Sequence, residues 1–268
     1  MLTLLSMDFF RYALLMALML SLLFGLLSFF VVMRKMSFLG AGISHAAFGG
    51  VALGIFLEIN PFFSSLVFCI ASAFIIGRLV KSGRLSYDAG IGIFFAFSMA
   101  LGALLISLKK EYGFDLSGYL FGNILGVTGF DVLMTSLAMS LFLPVVLLFM
   151  RRIIFMTFDE EVAAVSGVRT GILDSLLLVF LAAVIVISIK VVGIILVSAL
   201  VVLPASFGLL ISSDYRRVIA WSVLYTLGIM FSGLFLSYFL DLPAGAAIVT
   251  LGTLVYGLTL AVQRLYSG

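Results

Sequence analysis

The sequence predicts an all-α polytopic membrane protein with about nine transmembrane helices. Hydrophobic residues fill 64% of the 268 positions and charged residues only 10%. The mean hydropathy is +1.36, and apolar runs repeatedly reach the roughly 20 residues that a helix needs to cross a bilayer. Such a composition leaves no room for a soluble domain, so residues 1–268 are read as one transmembrane domain surrounded by lipid. The pI near 9.1 then reflects charge on loops and not a nucleic-acid surface. Cys69 is the only cysteine, which excludes a disulfide framework and a zinc–thiolate site.

Taken in order, the apolar runs and their breaks give spans at 9–33, 38–57, 62–80, 89–108 and 132–150, then 173–189, 191–211, 218–240 and 244–262. The first run has no small-residue cleavage pattern and is too long for a signal peptide, so it is expected to be retained. The sixth and seventh spans are divided only by Lys190 and Gly193. Basic residues support that division. Arg34, Lys35, Arg78, Lys81, Arg84, Arg151, Arg152, Arg169, Arg216, Arg217 and Arg264 fall on one side of a nine-span chain. Only Arg11, Lys109, Lys110 and Lys190 fall on the other. The positive-inside bias places the first set in the cytoplasm. A multi-pass protein of the cell membrane follows, with the N-terminus outside and the C-terminus cytoplasmic.

Two connections carry more than a turn. Residues 109–131 mix charges, aromatics and glycines; the later part, YLFGNILGVTG, is expected as a short helix or re-entrant segment where protein surrounds it. The stretch 157–171, TFDEEVAAVSGVRTG, mixes acids, small residues and a base between two hydrophobic blocks. Asp159 caps a short helix with Glu160 and Glu161 in its first turn, where the helix dipole favours acids. Ala163 and Ala164 give it a small-residue face, and Gly167 ends it. Such a helix suits another protein's groove, although an interfacial connecting loop is an equal reading on these facts.

An ionisable residue inside a span is a functional candidate, because lipid makes it costly. His45, the one histidine, lies in the second span within GAGISHAAFGGVALG. Gly42, Ala46, Gly50 and Gly54 recur every four residues and predict close helix packing beside it. The imidazole is equally a ligand for a borderline cation or a partner in an interhelical hydrogen bond. No H-E-x-x-H, no intramembrane aspartate pair and no phosphate-cradling loop occurs. The chain is therefore not read as an enzyme, and any ATP must be bound by another chain. The one intramembrane histidine and the lack of an internal repeat also argue against a secondary carrier.

Three stretches together resemble the permease subunits of ABC importers, in the branch for zinc, manganese or iron. Gly40, Ser44, His45 and Gly50 match the second-span pattern G-D-x-x-S-H-x-x-x-x-G, with Ala41 at the aspartate position. Residues 159–167 are similar to the E-A-A…G coupling loop, with Val162 between Glu161 and the alanines. VVGIILVSALVVLPA at 191–205, then SDYRR and DLPAG, resemble the last four spans of cobalamin-type permeases. The resemblance implies the cobalamin-permease type of fold and a homodimer around a central pathway. It also implies a cytoplasmic ABC ATPase dimer as a partner and an extracytoplasmic metal-binding protein. His45 and Ser44 would line the pathway, with His45 as metal ligand. Asp159, Glu160, Glu161, Ala163, Ala164 and Gly167 would couple to the ATPase. No cofactor is expected on this chain. The transported ion is expected to be zinc, because Ala41 removes an oxygen ligand and AAFGG after His45 looks more like the zinc importers. Manganese or iron import, or ion-coupled secondary transport, are the alternatives.

Overall fold

The computed structural model describes residues 7–81, 86–109, 116–123 and 126–267. Arg84, Lys110 and the polar beginning of the 109–131 connection lie outside the described residues, as do positions 124 and 125. Eleven helices follow in order: α1 Asp8–Met33, α2 Ser37–Phe56, α3 Pro61–Lys81, α4 Tyr87–Lys109 and the short α5 Leu116–Phe121. Then come α6 Gly129–Phe158, the short α7 Glu160–Val165, α8 Thr170–Val192, α9 Ile194–Ile211, α10 Tyr215–Leu240 and α11 Ala244–Ser267. Among the described residues, eight helices are long and apolar enough to cross a membrane, and α9 supplies a shorter apolar one. At 1.5 Å per residue the 18 residues of α9 still reach about 27 Å, close to the ~30 Å hydrocarbon thickness.

Local chemistry sets the helix ends. Asn60 Oδ1 accepts from the Phe62 backbone at 2.9 Å, and Pro61 occupies the first helical position of α3, where a missing N–H costs nothing. Asp131 turns back on Thr128 at the start of α6, accepting from its backbone N–H at 2.8 Å and its hydroxyl at 2.7 Å. Asp214 caps α10 by accepting from the Arg216 and Arg217 backbones. Pro144 and Pro204 lie inside α6 and α9, which intramembrane helices tolerate when neighbours satisfy the freed backbone.

The sixth and seventh spans do part, but at Gly193 and not at Lys190. Gly193 has φ +89°, and α8 runs on through Lys190 to Val192. The break is placed by packing. Gly193 lies directly against the Leu120–Gly122 backbone, where any Cβ would collide. Gly122 (φ +81°) closes on Val191 and Val192 in return, and Gly245 fits against the Val192 carbonyl and the Phe121 carbonyl. The end of α5, the α8–α9 break and the start of α11 thus meet backbone to backbone. The Asn123 N–H completes the junction by donating to the Lys190 carbonyl at 2.8 Å.

Among the described residues, contacts between helix ends show which ends lie together. At one end Arg34 meets Glu160 and Asp174, and Gln263 reaches the Leu210 carbonyl. At the other, Lys109 Nζ lies 3.5 Å from Glu58, Lys190 Nζ 2.9 Å from Asp131, and the rings of Phe62 and Phe130 meet at 5.8 Å. A cavity of about 230 Å³ opens at this second end beside Phe62, Ser65, Asp131 and Lys190.

Candidate functional site

Helix α2 packs most extensively against α4 and α3, and its small residues make that possible. A Cβ at Gly50 would stand 2.6 Å from Ser65 Cα, and one at Gly54 2.7 Å from Pro61 Cα, both on α3. At Gly42 it would stand 2.6 Å from Ile91 on α4 instead. The four-residue recurrence explains the change of partner. Each step of four residues rotates about 40° around the axis, so Gly42 and Gly54 face about 120° apart. Ala46 lies between them, fully buried. Gly40 opens a third approach, toward Val201 of α9.

Hydrogen bonds latch α3 to α2. Ser64 Oγ donates to the Gly50 carbonyl at 2.8 Å, Ser65 Oγ to Ala47 at 3.3 Å, and Cys69 Sγ to Ile43 at 3.5 Å. These are second bonds to carbonyls already engaged in their own helix, a usual way for polar side chains to join intramembrane helices.

His45 faces the other seam. Its ring stands edge-on to Phe95 of α4 with centroids 4.5 Å apart, and its Nδ1 is buried without a hydrogen-bond partner. One turn further along, Gly49 lies against the backbone of Ser98, whose hydroxyl is likewise buried and unpaired. A buried nitrogen lacking a bond is costly unless something else satisfies it. Ser44, about 100° round the helix, is fully buried and donates to the Ala41 carbonyl at 2.9 Å. Ala41 is four residues before His45, so a carboxylate there would share its face. Among the described residues, no three or more His, Cys, Asp or Glu side chains gather as a metal-holding group.

The 157–171 stretch folds as a short helix between two long ones. Asp159 ends α6 and caps α7 at once, its Oδ1 accepting from the Val162 N–H at 2.9 Å. Gly167 has φ +85°, and the Val168 N–H returns to the Ala163 carbonyl at 3.0 Å while that of Gly167 returns to Ala164 at 3.1 Å. That pair of bonds is the Schellman arrangement, which requires a left-handed residue where Gly167 stands. The alanine face divides. Ala163 is fully buried against the body, whereas Ala164 is exposed together with Val162 and Val165, the last at 91%. The outward apolar surface of α7 is therefore valine-led.

One feature escaped the sequence. Arg34, which closes α1, has a side chain only 9% exposed. Its Nη2 lies 2.7 Å from Glu160 Oε2 in α7, and its Nη1 pairs with Asp174 Oδ1 in α8. In the sequence Arg34 counts only toward topology, and nothing singles out Asp174. No local spacing joins positions 34, 160 and 174.

This arrangement can be set beside known proteins. The model of the ABC 3 transport family matches residues 6–263. The chain belongs to that family. It is a membrane permease of the metal ABC importers, a transporter and not a catalytic enzyme, and the ion-coupled carrier alternative is set aside. The manganese transport system membrane protein MntC of Listeria monocytogenes is 32% identical over 93% of this chain and 89% of its own length. The high-affinity zinc uptake system membrane protein ZnuB of Haemophilus influenzae is 30% identical over 92% of this chain and 95% of its own. Among solved structures, a chain of PsaBC from Streptococcus pneumoniae, determined in complex with a Fab, superposes with a TM-score of 0.85. It is 30% identical, with 96% of this chain and 92% of that one covered. Relatives are thus named for manganese and for zinc, and zinc is not singled out.

Proposed function

We propose that two copies of this permease enclose a pathway for a divalent first-row metal ion, lined by His45 of each. The half-buried His45 ring, whose Nδ1 has no hydrogen-bond partner within the chain, carries this reading. One imidazole is too few ligands for such an ion, and a two-fold axis would bring a second. A ligand set led by imidazole, with alanine at position 41, favours zinc. Manganese is the second reading, favoured by the relative named for it. Uptake of labelled zinc and manganese in competition decides between them, and Ala41→Asp is expected to shift preference toward manganese.

The α7 end of each copy docks on a cytoplasmic ATPase, and the opposite end receives a metal-loaded binding protein. The exposed valines of α7, its acids and its left-handed Gly167 support this reading. Gly167→Val is expected to weaken docking without unfolding the protein. A β-branched residue at positive φ costs about 1–3 kcal/mol, yet a Cβ there meets nothing within 4 Å. Val165→Glu should weaken docking by charge alone. Co-purification with the ATPase reads both, and full retention by both variants returns α7 to a connecting loop.

The excess of basic residues at the α7 end supports a cytoplasmic placement. A reporter fused after Arg264 is expected to be cytoplasmic and one inserted near Glu111 external. The reverse at either position defeats this orientation.

A further inference from the structure

We propose that Arg34 is a positioning residue that transmits the movement of α7 to the root of the pathway helix α2. The inference rests on the reading of α7 as the ATPase-docking helix. Arg34 is held from two sides by carboxylates of different helices, Glu160 at 2.7 Å on α7 and Asp174 on α8. Its Nη1 also lies 3.9 Å from Met156 Sδ near the end of α6. One guanidinium therefore touches the elements before, within and after the docking helix. A planar fork of donors can serve two carboxylates in fixed directions, which a lysine ammonium cannot.

The other side of the linkage is covalent. Only Lys35 and Met36 separate Arg34 from α2, and Lys35 holds φ +56°, so the chain reverses tightly there. His45 follows about two turns into α2. The Glu160 carboxylate is thus connected to the His45 helix by one ion pair and a short reversed turn. Along the backbone the same two residues are separated by 115 positions. The ion pair is 9% exposed on the Arg34 side and 42% on the Glu160 side. It is sheltered enough to hold direction and open enough to rearrange.

The experiment uses the purified permease–ATPase complex in liposomes with metal-loaded binding protein. It reads ATPase co-purification, ATP turnover and metal imported per ATP hydrolysed. Arg34→Gln removes the hub but takes the cation from beside Asp174, which can impair folding. The double variant Arg34→Gln/Asp174→Asn leaves a neutral pair between α1 and α8 and severs the ion pair to Glu160 of α7. Both are expected to dock, and the double variant to import at least tenfold less metal per ATP. Arg34→Lys should fall between them and the parent. A double variant that docks and imports with the parent's ratio overturns the proposal. So does one that loses docking, because Arg34 would then shape the docking surface itself. Failure of the docking reading shows separately, as full docking by Gly167→Val and Val165→Glu.

Discussion

His45→Ala is expected to reduce metal uptake at least a hundredfold while leaving insertion and assembly unchanged. Residues that merely orient a metal ligand change affinity by about 10- to 100-fold, so loss of the proposed ligand itself should do no less. Folding is expected to survive for a specific reason. Nδ1 makes no hydrogen bond that the substitution would break, and the Phe95 ring contact is a modest term of about 0.5–1.5 kcal/mol. His45→Gln provides the second arm, because it keeps polarity and bulk but offers no imidazole. Uptake of labelled zinc and manganese by vesicles, normalised to permease content, makes the measurement. Normal uptake by well-expressed His45→Ala would reduce the residue to a packing role.

Gly245→Ala is expected to be the most damaging glycine-to-alanine change for stability among the described glycines. Its Cβ would overlap the Val192 carbonyl oxygen and lie 2.6 Å from Leu196 Cδ1 and 2.7 Å from the Phe121 carbonyl. Two of those three neighbours are backbone, which cannot turn aside as a side chain can. Ordinary overpacking costs about 1–3 kcal/mol, and this site should reach or pass the upper figure. Gly257→Ala, also in α11, is the control. A Cβ there meets nothing within 4 Å, and alanine in a helix interior gains about 0.5–1 kcal/mol over glycine. Thermal unfolding in detergent should therefore move in opposite directions for the two variants. Equal shifts would mean that the backbone junction of Gly122, Gly193 and Gly245 is not where stability is concentrated.

Much of the fold was legible in the sequence, because bilayer thickness fixes span length and glycine or charge marks the breaks. The Asp159 cap and the Gly167 stop could be read for the same reason, since each depends on neighbours within five residues. The break at Gly193 was misplaced because Lys190, a charge, looked like the stronger boundary. Its side chain instead reaches Asp131 at 2.9 Å, which lets α8 continue past it. The inward turn of Ala163 and the Arg34 pairings depend on contacts across the bundle, and no local pattern encodes those. The His45 face was half legible. Four-residue recurrence announced close packing, but drift around the helix, invisible in a linear pattern, decides which neighbour receives which glycine.

The two sides of α2 are fastened differently, and that has a mechanical consequence. Toward α3 it is pegged by the hydroxyls of Ser64 and Ser65 and the thiol of Cys69. Toward α4 the seam is formed by Gly42, His45 and Gly49 against Ile91, Phe95 and Ser98, with Gly102 against the Phe48 ring. It is tied at its far end, where Lys109 Nζ donates to the Ile55 carbonyl at 2.6 Å. A smooth seam fixed at one end is a slip plane with a pivot, along which shear costs less than across a hydrogen-bonded one. Helices α2 and α3 should then move as one lever, with α4 swinging about Lys109 and His45 riding on the moving surface. Paired spin labels on α2 and α4 should show distances that broaden away from Lys109, whereas labels on α2 and α3 should stay fixed.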